Sequence, residues 1–200
     1  MKIKICGITR EIDIDYLNEL KPDMAGFIFV KGRRRYITTE AAKKLTGCLN
    51  SEILSVGVFF NESQNVISDI CHSCRIDFIQ LHGNEDNDYI NEIRKKTMRP
   101  VIKAFKIQNE SDAETIESSD ADLVLLDAGE GGGSTFDWEL AKNIRRPYLL
   151  AGGLTCENAD RAVKMLSPYG VDISSGVETD GFKDYLKIRE FIKICRNNHQ

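Results

Sequence analysis

The sequence predicts an α/β protein, a single-domain (β/α)8 barrel spanning residues 1–200. Three observations carry that expectation. Short, β-branched apolar runs alternate with longer helical patterns from end to end. Several of the runs are almost continuously hydrophobic, as strands are when helices cover a parallel sheet. Eight such units share 200 residues, which leaves 25 for each, enough for a strand, a short loop and about three turns of helix. Strict alternation implies parallel strands joined by right-handed crossovers, and eight units close most simply into a barrel.

The expected strands are 2–6, 24–30, 53–60, 78–81, 101–105, 123–127, 148–151 and 171–174. Thr38-Thr39-Glu40 and Asp137-Trp138 read as helix starts, and Thr155–Asp160 leads into a helical run over 161–166. An open doubly wound sheet is the rival. Its G-x-G-x-x-G fingerprint is missing after the first strand, where Cys6-Gly7-Ile8-Thr9 stands instead. No linker or low-complexity stretch marks a second domain; only 129–134, GEGGGS, is dense in glycine.

Lys and Arg total 27 and Asp and Glu 31, a formal charge of −4. This balance argues against a partner held by bulk electrostatics, such as nucleic acid or an anionic membrane. It leaves room for one small anion bound locally. The N-terminal run lacks the apolar core of a signal peptide, and no stretch approaches the roughly 18 apolar residues of a membrane helix, so the expected location is the cytoplasm. Six cysteines at 6, 48, 71, 74, 156 and 195 read as free thiols in such a chain. Cys71 and Cys74 form a CxxC, but a zinc site needs a second ligand pair nearby. Two half-buried thiols one helical turn apart are the expected reading, with no metal and no cofactor.

In such a barrel, chemistry sits at the C-terminal ends of the strands. This chain places Cys6-Gly7, the run Lys31–Tyr36 with its three arginines, Phe60-Asn61, Gln80-Leu81-His82-Gly83, Lys103, Asp127, Gly152-Gly153 and the segment 172–176 at those ends. Gly152 and Gly153 after the seventh strand, with Ser174, Ser175 and Gly176 after the eighth, suit a phosphate, because main-chain N–H groups can approach it there. Two tight turns needing positive φ would use glycines too. Cys6 alone reads as a buried cysteine, and Asp127 alone as a helix cap or a salt-bridged residue. Together, on the first and sixth strands, they would face one another across the mouth as base and acid. An arginine of the 33–35 run could fork onto a carboxylate, or the run could be a solvated loop.

The set KICGIT (4–9), GFIF with RRYI (26–29 and 34–37), VGVF (56–59), IQLHG (79–83), LLD (125–127), FDW (136–138), LAGGL (150–154) and VDISSGVE (171–178) resembles the phosphoribosylanthranilate isomerases of tryptophan biosynthesis. The motifs follow the family's order from the first strand to the eighth. The resemblance implies a cofactor-free barrel that converts N-(5-phosphoribosyl)anthranilate to 1-(2-carboxyphenylamino)-1-deoxyribulose 5-phosphate, an Amadori rearrangement. It makes Cys6 the general base, Asp127 the general acid and Arg35 the partner of the anthranilate carboxylate. Gly152, Gly153, Ser174, Ser175 and Gly176 become the phosphate cradle. Asp172 is placed near the sugar hydroxyls, and His82 lines the site without a chemical step. Arg33 and Arg34 stand where the family often has Ser-Pro, so a second arginine could serve the carboxylate. The loop after Asp127 carries an extra glycine and is expected to close over substrate. A monomer with a small-molecule substrate is expected. The related isomerase of histidine biosynthesis, which uses two aspartates, and a non-catalytic phosphate-binding barrel are the alternatives; Cys6 on the first strand speaks against the former.

Overall fold

The computed structural model describes residues 1–109, 111–127 and 138–197. Eight parallel strands close into a barrel in sequential order: β1 (Lys2–Cys6), β2 (Met24–Ile28), β3 (Leu54–Phe59), β4 (Phe78–Leu81), β5 (Val101–Lys106), β6 (Leu123–Asp127), β7 (Tyr148–Ala151) and β8 (Gly170–Ile173). Closure is made by β1 against β8, with Lys4 opposite Asp172. The helices are α1 (Glu11–Leu20), α2 (Thr39–Cys48), α3 (Gln64–Ser73), α4 (Asn87–Thr97), α5 (Asp112–Glu117), α6 (Trp138–Ala141), α7 (Ala159–Leu166) and α8 (Tyr185–Asn197). The sequence expected β2 to run on to residue 30, but pairing with β3 ends at Ile28, where the chain turns into the arginine loop. The GEGGGS segment and the proposed helix start at Asp137 lie outside the described residues.

Strand geometry sends alternate side chains to opposite faces, and the two cores show it. Ile3, Ile5, Ala25, Phe27, Phe59, Ile79, Leu81, Val101, Val124, Leu126, Leu150 and Val171 point outward and pack under the helices. Met24, Val56, Ile102, Ala104, Leu123, Leu125, Leu149 and Ala151 form a separate cluster within the barrel. The same alternation sends Lys4 and Cys6 of β1, Gln80 of β4, Lys106 of β5, Asp127 of β6 and Asp172 of β8 inward. Lys103 is the exception to the expected mouth residues. Its register puts it on the outer face, where it bonds Glu85 Oε2 at 3.1 Å and the Gly83 carbonyl at 2.6 Å. Glu85 also accepts from the N–H groups of Asn61 (2.7 Å) and Gly83 (2.9 Å). This buried pair ties the loops after β3 and β4 to β5 and so shapes one side of the mouth.

Caps set the helix starts. Thr38 accepts from Ala41 N at 3.2 Å at the head of α2, as the Thr-Thr-Glu signal predicts. Buried Asp13 in the first turn of α1 accepts from Thr9 N and Arg10 N at 3.1 and 3.0 Å, satisfying free N–H groups and fixing the loop that follows Cys6. Cys71 and Cys74 are buried in and just after α3 with free thiols, and Cys74 donates to the Thr39 carbonyl at 3.4 Å. Burial pushes the Cys71 thiol up to about 11. Among the described residues, no three His, Cys, Asp or Glu side chains are grouped to hold a metal ion, and no helix is long and apolar enough to cross a membrane.

Candidate active site

A cavity of about 550 Å³ opens at the C-terminal end of the barrel. Its lining brings together Cys6, the arginines 33–35, Gln80, His82, Lys106, Asp127, Gly152, Gly153, Asp172, Ser174 and Ser175. The thiol and the carboxylate thus look into one space from β1 and β6, as strand order predicts.

The Cys6 side of the cavity is deep and charged. Cys6 is 6% exposed. Lys4, two residues earlier on the same inward face, is fully buried and holds Asp172 Oδ1 at 2.9 Å. Gly26 on β2 makes room for both: a Cβ there would lie 2.7 Å from the Cys6 sulfur and 3.1 Å from Lys4 Nζ. Burial pushes the thiol above its usual range; Lys4 and Lys183 pull it back, while Asp172 acts with burial. The free site therefore favours the thiol, where the chemistry read from the sequence needs a partly ionised thiolate.

Arg35 crosses Gly7, whose φ of +83° and missing side chain let the arginine stem lie against the main chain. Its guanidinium forks onto Glu178, with Nε–Oε1 at 2.6 Å and Nη2–Oε2 at 2.7 Å. Arg34 reaches the same carboxylate at 3.2 Å, and buried Lys183 does so at 2.8 Å. Burial works to raise Glu178, but Arg35 and Lys183 hold it below the ordinary carboxylate value. The family resemblance makes Arg35 the partner of a substrate carboxylate; the structure shows it oriented by a protein carboxylate, with part of its donor fork left over. Lys183 also donates to the Ser174 carbonyl at 2.9 Å, which couples this cluster to the turn after β8.

The Asp127 side is shallower and linked through an imidazole and an amide. The Asp127 side chain is 20% exposed, and its Oδ2 lies 3.0 Å from His82 Nε2. His82 Nδ1 lies 3.1 Å from Gln80 Nε2. Lys106 is the neighbour of Asp127 in the β5–β6 register.

The cradle is built from turns. Gly152 and Gly153 have φ of +81° and +65°, a backbone that side-chain-bearing residues rarely adopt. Ser175 begins a 3₁₀ turn, Ser175–Val177, whose leading N–H groups have no partner within it. The Ser174 hydroxyl is turned away to the Cys6 carbonyl at 3.0 Å. Gly176 sits behind the lining, where a Cβ would collide with the Leu154 carbonyl; it lets the β8 turn lie against the β7 turn.

Sequence reasoning placed Gln80 at a strand end without giving it a role, and missed Lys4, Lys106, Glu178 and Lys183. Lys4 and Gln80 carried a signal: each is a polar residue in an apolar strand, two positions before a suspected site residue, hence on its face. Nothing local announced that Glu178 and Lys183 would reach Arg35.

Known proteins share this architecture and its motifs. A family model described as N-(5'phosphoribosyl)anthranilate (PRA) isomerase matches residues 3–194. The N-(5'-phosphoribosyl)anthranilate isomerase of Endomicrobium trichonymphae is 43% identical over 201 residues, covering 98% of each chain. A crystal structure of phosphoribosyl anthranilate isomerase in complex with reduced 1-(o-carboxyphenylamino)-1-deoxyribulose 5-phosphate aligns with a TM-score of 0.86 at 35% identity, over 98% of this chain and 99% of the other. So do monomers generated from the dimeric isomerase of Thermotoga maritima, with a TM-score of 0.86 at 34% identity and the same coverage. The barrel, the motifs and the match along nearly the whole chain agree: this chain belongs to the N-(5'-phosphoribosyl)anthranilate isomerase family.

Proposed function

We propose that the cavity isomerises N-(5-phosphoribosyl)anthranilate to 1-(2-carboxyphenylamino)-1-deoxyribulose 5-phosphate, with Cys6 as base and Asp127 as acid, in a single-domain monomer that needs no cofactor. The observation that carries the reading is the meeting of Cys6 and Asp127 in one cavity between glycine-rich turns and an arginine loop. Asp127 gives a proton to the furanose ring oxygen, and the C1–O bond breaks to leave an iminium at C1. The iminium acidifies the C2 proton, which Cys6 removes; the electron pair forms the C1–C2 double bond and neutralises the nitrogen. The enolamine then takes a proton at C1 and loses one from the C2 hydroxyl to give the ketose. C1 is reduced as C2 is oxidised, so no outside electron acceptor enters.

The deep charges fit this order of events. Burial keeps Cys6 protonated in the free site, while Lys4, Lys183 and the cationic iminium all favour the thiolate once substrate is present. The substrate phosphate is assigned to Gly152, Gly153, Ser174 and Ser175, with Gly176 shaping their turn. Its carboxylate is assigned to Arg35 with help from Arg33 or Arg34, and the sugar hydroxyls to the free oxygen of Asp172. His82 supports Asp127. These non-reacting ends fix C2 against the sulfur.

The test is direct. Phosphoribosylanthranilate is generated in situ and loss of its anthranilate fluorescence is followed. Turnover by the wild type and its collapse in Cys6→Ser and Asp127→Asn are expected. A wild type without turnover, or Asp127→Ala with full turnover, ends the proposal, and unchanged biological function in both variants would favour a non-catalytic phosphate binder. Sedimentation at working concentration checks the monomer.

A further inference from the structure

The Asp127 side of the cavity contains a buried polar atom that has no hydrogen-bond partner among the described residues. Gln80 is 1% exposed, points inward from β4 and lines the cavity. Its Nε2 donates to His82 Nδ1 at 3.1 Å, but its Oε1 is buried with no partner. Interiors rarely leave an acceptor in that state, because its hydration is lost without return.

The orphan leaves the Gln80 amide held by a single hydrogen bond, to His82, so no second contact fixes which way it faces and the chain Gln80–His82–Asp127 can be followed in both directions. A neutral imidazole has one donor and one acceptor. With Asp127 ionised, His82 Nε2–H donates to Oδ2, Nδ1 accepts from the Gln80 amide N–H, and Oε1 is left over. With Asp127 protonated, its O–H donates to Nε2, and the ring proton sits on Nδ1, which then needs an acceptor. A half-turn of the Gln80 amide about its last carbon–carbon bond supplies Oε1 at that place. A carboxamide, neutral and carrying both a donor and an acceptor, can serve both directions. We propose that Gln80 is a positioning residue of the isomerisation: through His82 it holds Asp127 in its proton-donating form by accepting from Nδ1–H.

This rests on reading Asp127 as the acid. Among the described residues, the charged and titratable groups that line the cavity with Asp127 and His82 are Lys106 on β5, the arginines 33–35 after β2, and Cys6 and Asp172 on the other side. None changes in the variants below, so their fields are constant in the comparison.

The experiment is the pH profile of kcat/KM for Gln80→Leu and Gln80→Glu, with the tautomer of His82 read by ¹⁵N NMR in the substrate-free enzyme. The chain has three histidines, and His72→Gln assists assignment. Leucine removes the acceptor for Nδ1–H, so the limb on which activity falls with rising pH moves to lower pH by about one unit, a tenfold loss of rate above it. Glutamate offers a stronger acceptor, so the same limb moves to higher pH and the Nδ1–H tautomer gains population. Opposite displacements by the two variants are expected. A purely structural Gln80 lowers rate and stability alike at every pH and leaves the tautomer unmoved; that result, or displacement in the same direction by both variants, overturns the proposal. Asp127→Asn separates the two levels: if it retains full activity, the assignment of the acid fails, while the tautomer ratio still reports on the Gln80–His82 link.

Discussion

The two groups proposed to transfer protons in this barrel, Cys6 and Asp127, occupy opposite kinds of environment. Cys6 sits deep, between buried charges: Lys4 with Asp172 beneath it, and the Arg35–Glu178–Lys183 cluster beside it. Asp127 sits nearer solvent and is linked through an imidazole to an amide. The difference follows from the chemistry each must do. A thiol in a dry site needs charge to become a base, and charge there acts through a low dielectric. A carboxyl group needs only help to keep a proton, which a neutral hydrogen-bonded chain provides without importing repulsion.

The largest expected effect tests whether both sides are essential. Cys6→Ser lowers kcat by about 10⁴ and Asp127→Asn by about 10² to 10³, within the range for a lost acid or base. The acid suffers less because its exposed position admits water as a substitute donor. Equal losses would break the contrast. Next is stability: Lys4→Met leaves Asp172 buried without its cation and lowers the unfolding free energy by about 3–5 kcal/mol in urea titrations. Lys106→Met, on the exposed acid side, changes it by about 0.5 kcal/mol or less.

Arg35→Ala raises KM by about 10- to 100-fold, the scale of a lost hydrogen bond to a charged group, with a smaller change in kcat, since the carboxylate contact is equal in ground and transition states. Equal falls in kcat and kcat/KM would show instead that Arg35 acts through Glu178 on the cluster beside Cys6.

The two sides also differ in what pH does to folding. Glu178 is held below its unfolded value, so its contribution is present above that value, about 4.5, and fades as pH falls through the folded one; Glu178→Gln flattens the acid arm of a denaturation profile. Cys71 and Cys195 are pushed up by burial to about 11 and about 12. Their contribution is whole below the unfolded value of 9.0 and is lost as pH rises toward those folded values. Cys195→Ala flattens the alkaline arm. The smallest effect is at the CxxC: Cys74→Ala leaves turnover unchanged, and purified protein contains less than stoichiometric zinc.

How far the site was legible in the sequence depended on sequence distance. Cys6, Asp127, Gly152 and Ser174 could be placed because each ends a strand, and strand ends are where a barrel carries chemistry. Gln80 shares a face with His82 by the two-residue period, and its place at the end of the fourth strand was legible while its role was not. Lys103 was put at the mouth, but the same period sends it outward to Glu85. Glu178 was visible as a residue and invisible as a partner, since its pairing with Arg35 joins positions 143 residues apart in the chain.

The sequence by itself determined the barrel, its strand order and most of the residues at its mouth, because alternation of apolar runs and helical patterns is a local property read residue by residue. Only the tertiary structure decided that Lys4 would lie under the thiol against Asp172, that Gly7 and Gly26 would clear space for Arg35 and Lys4, and that Gln80 would be left with an unpaired oxygen. Those outcomes depend on which strands close against which, and on the distances that closure imposes between groups far apart along the chain.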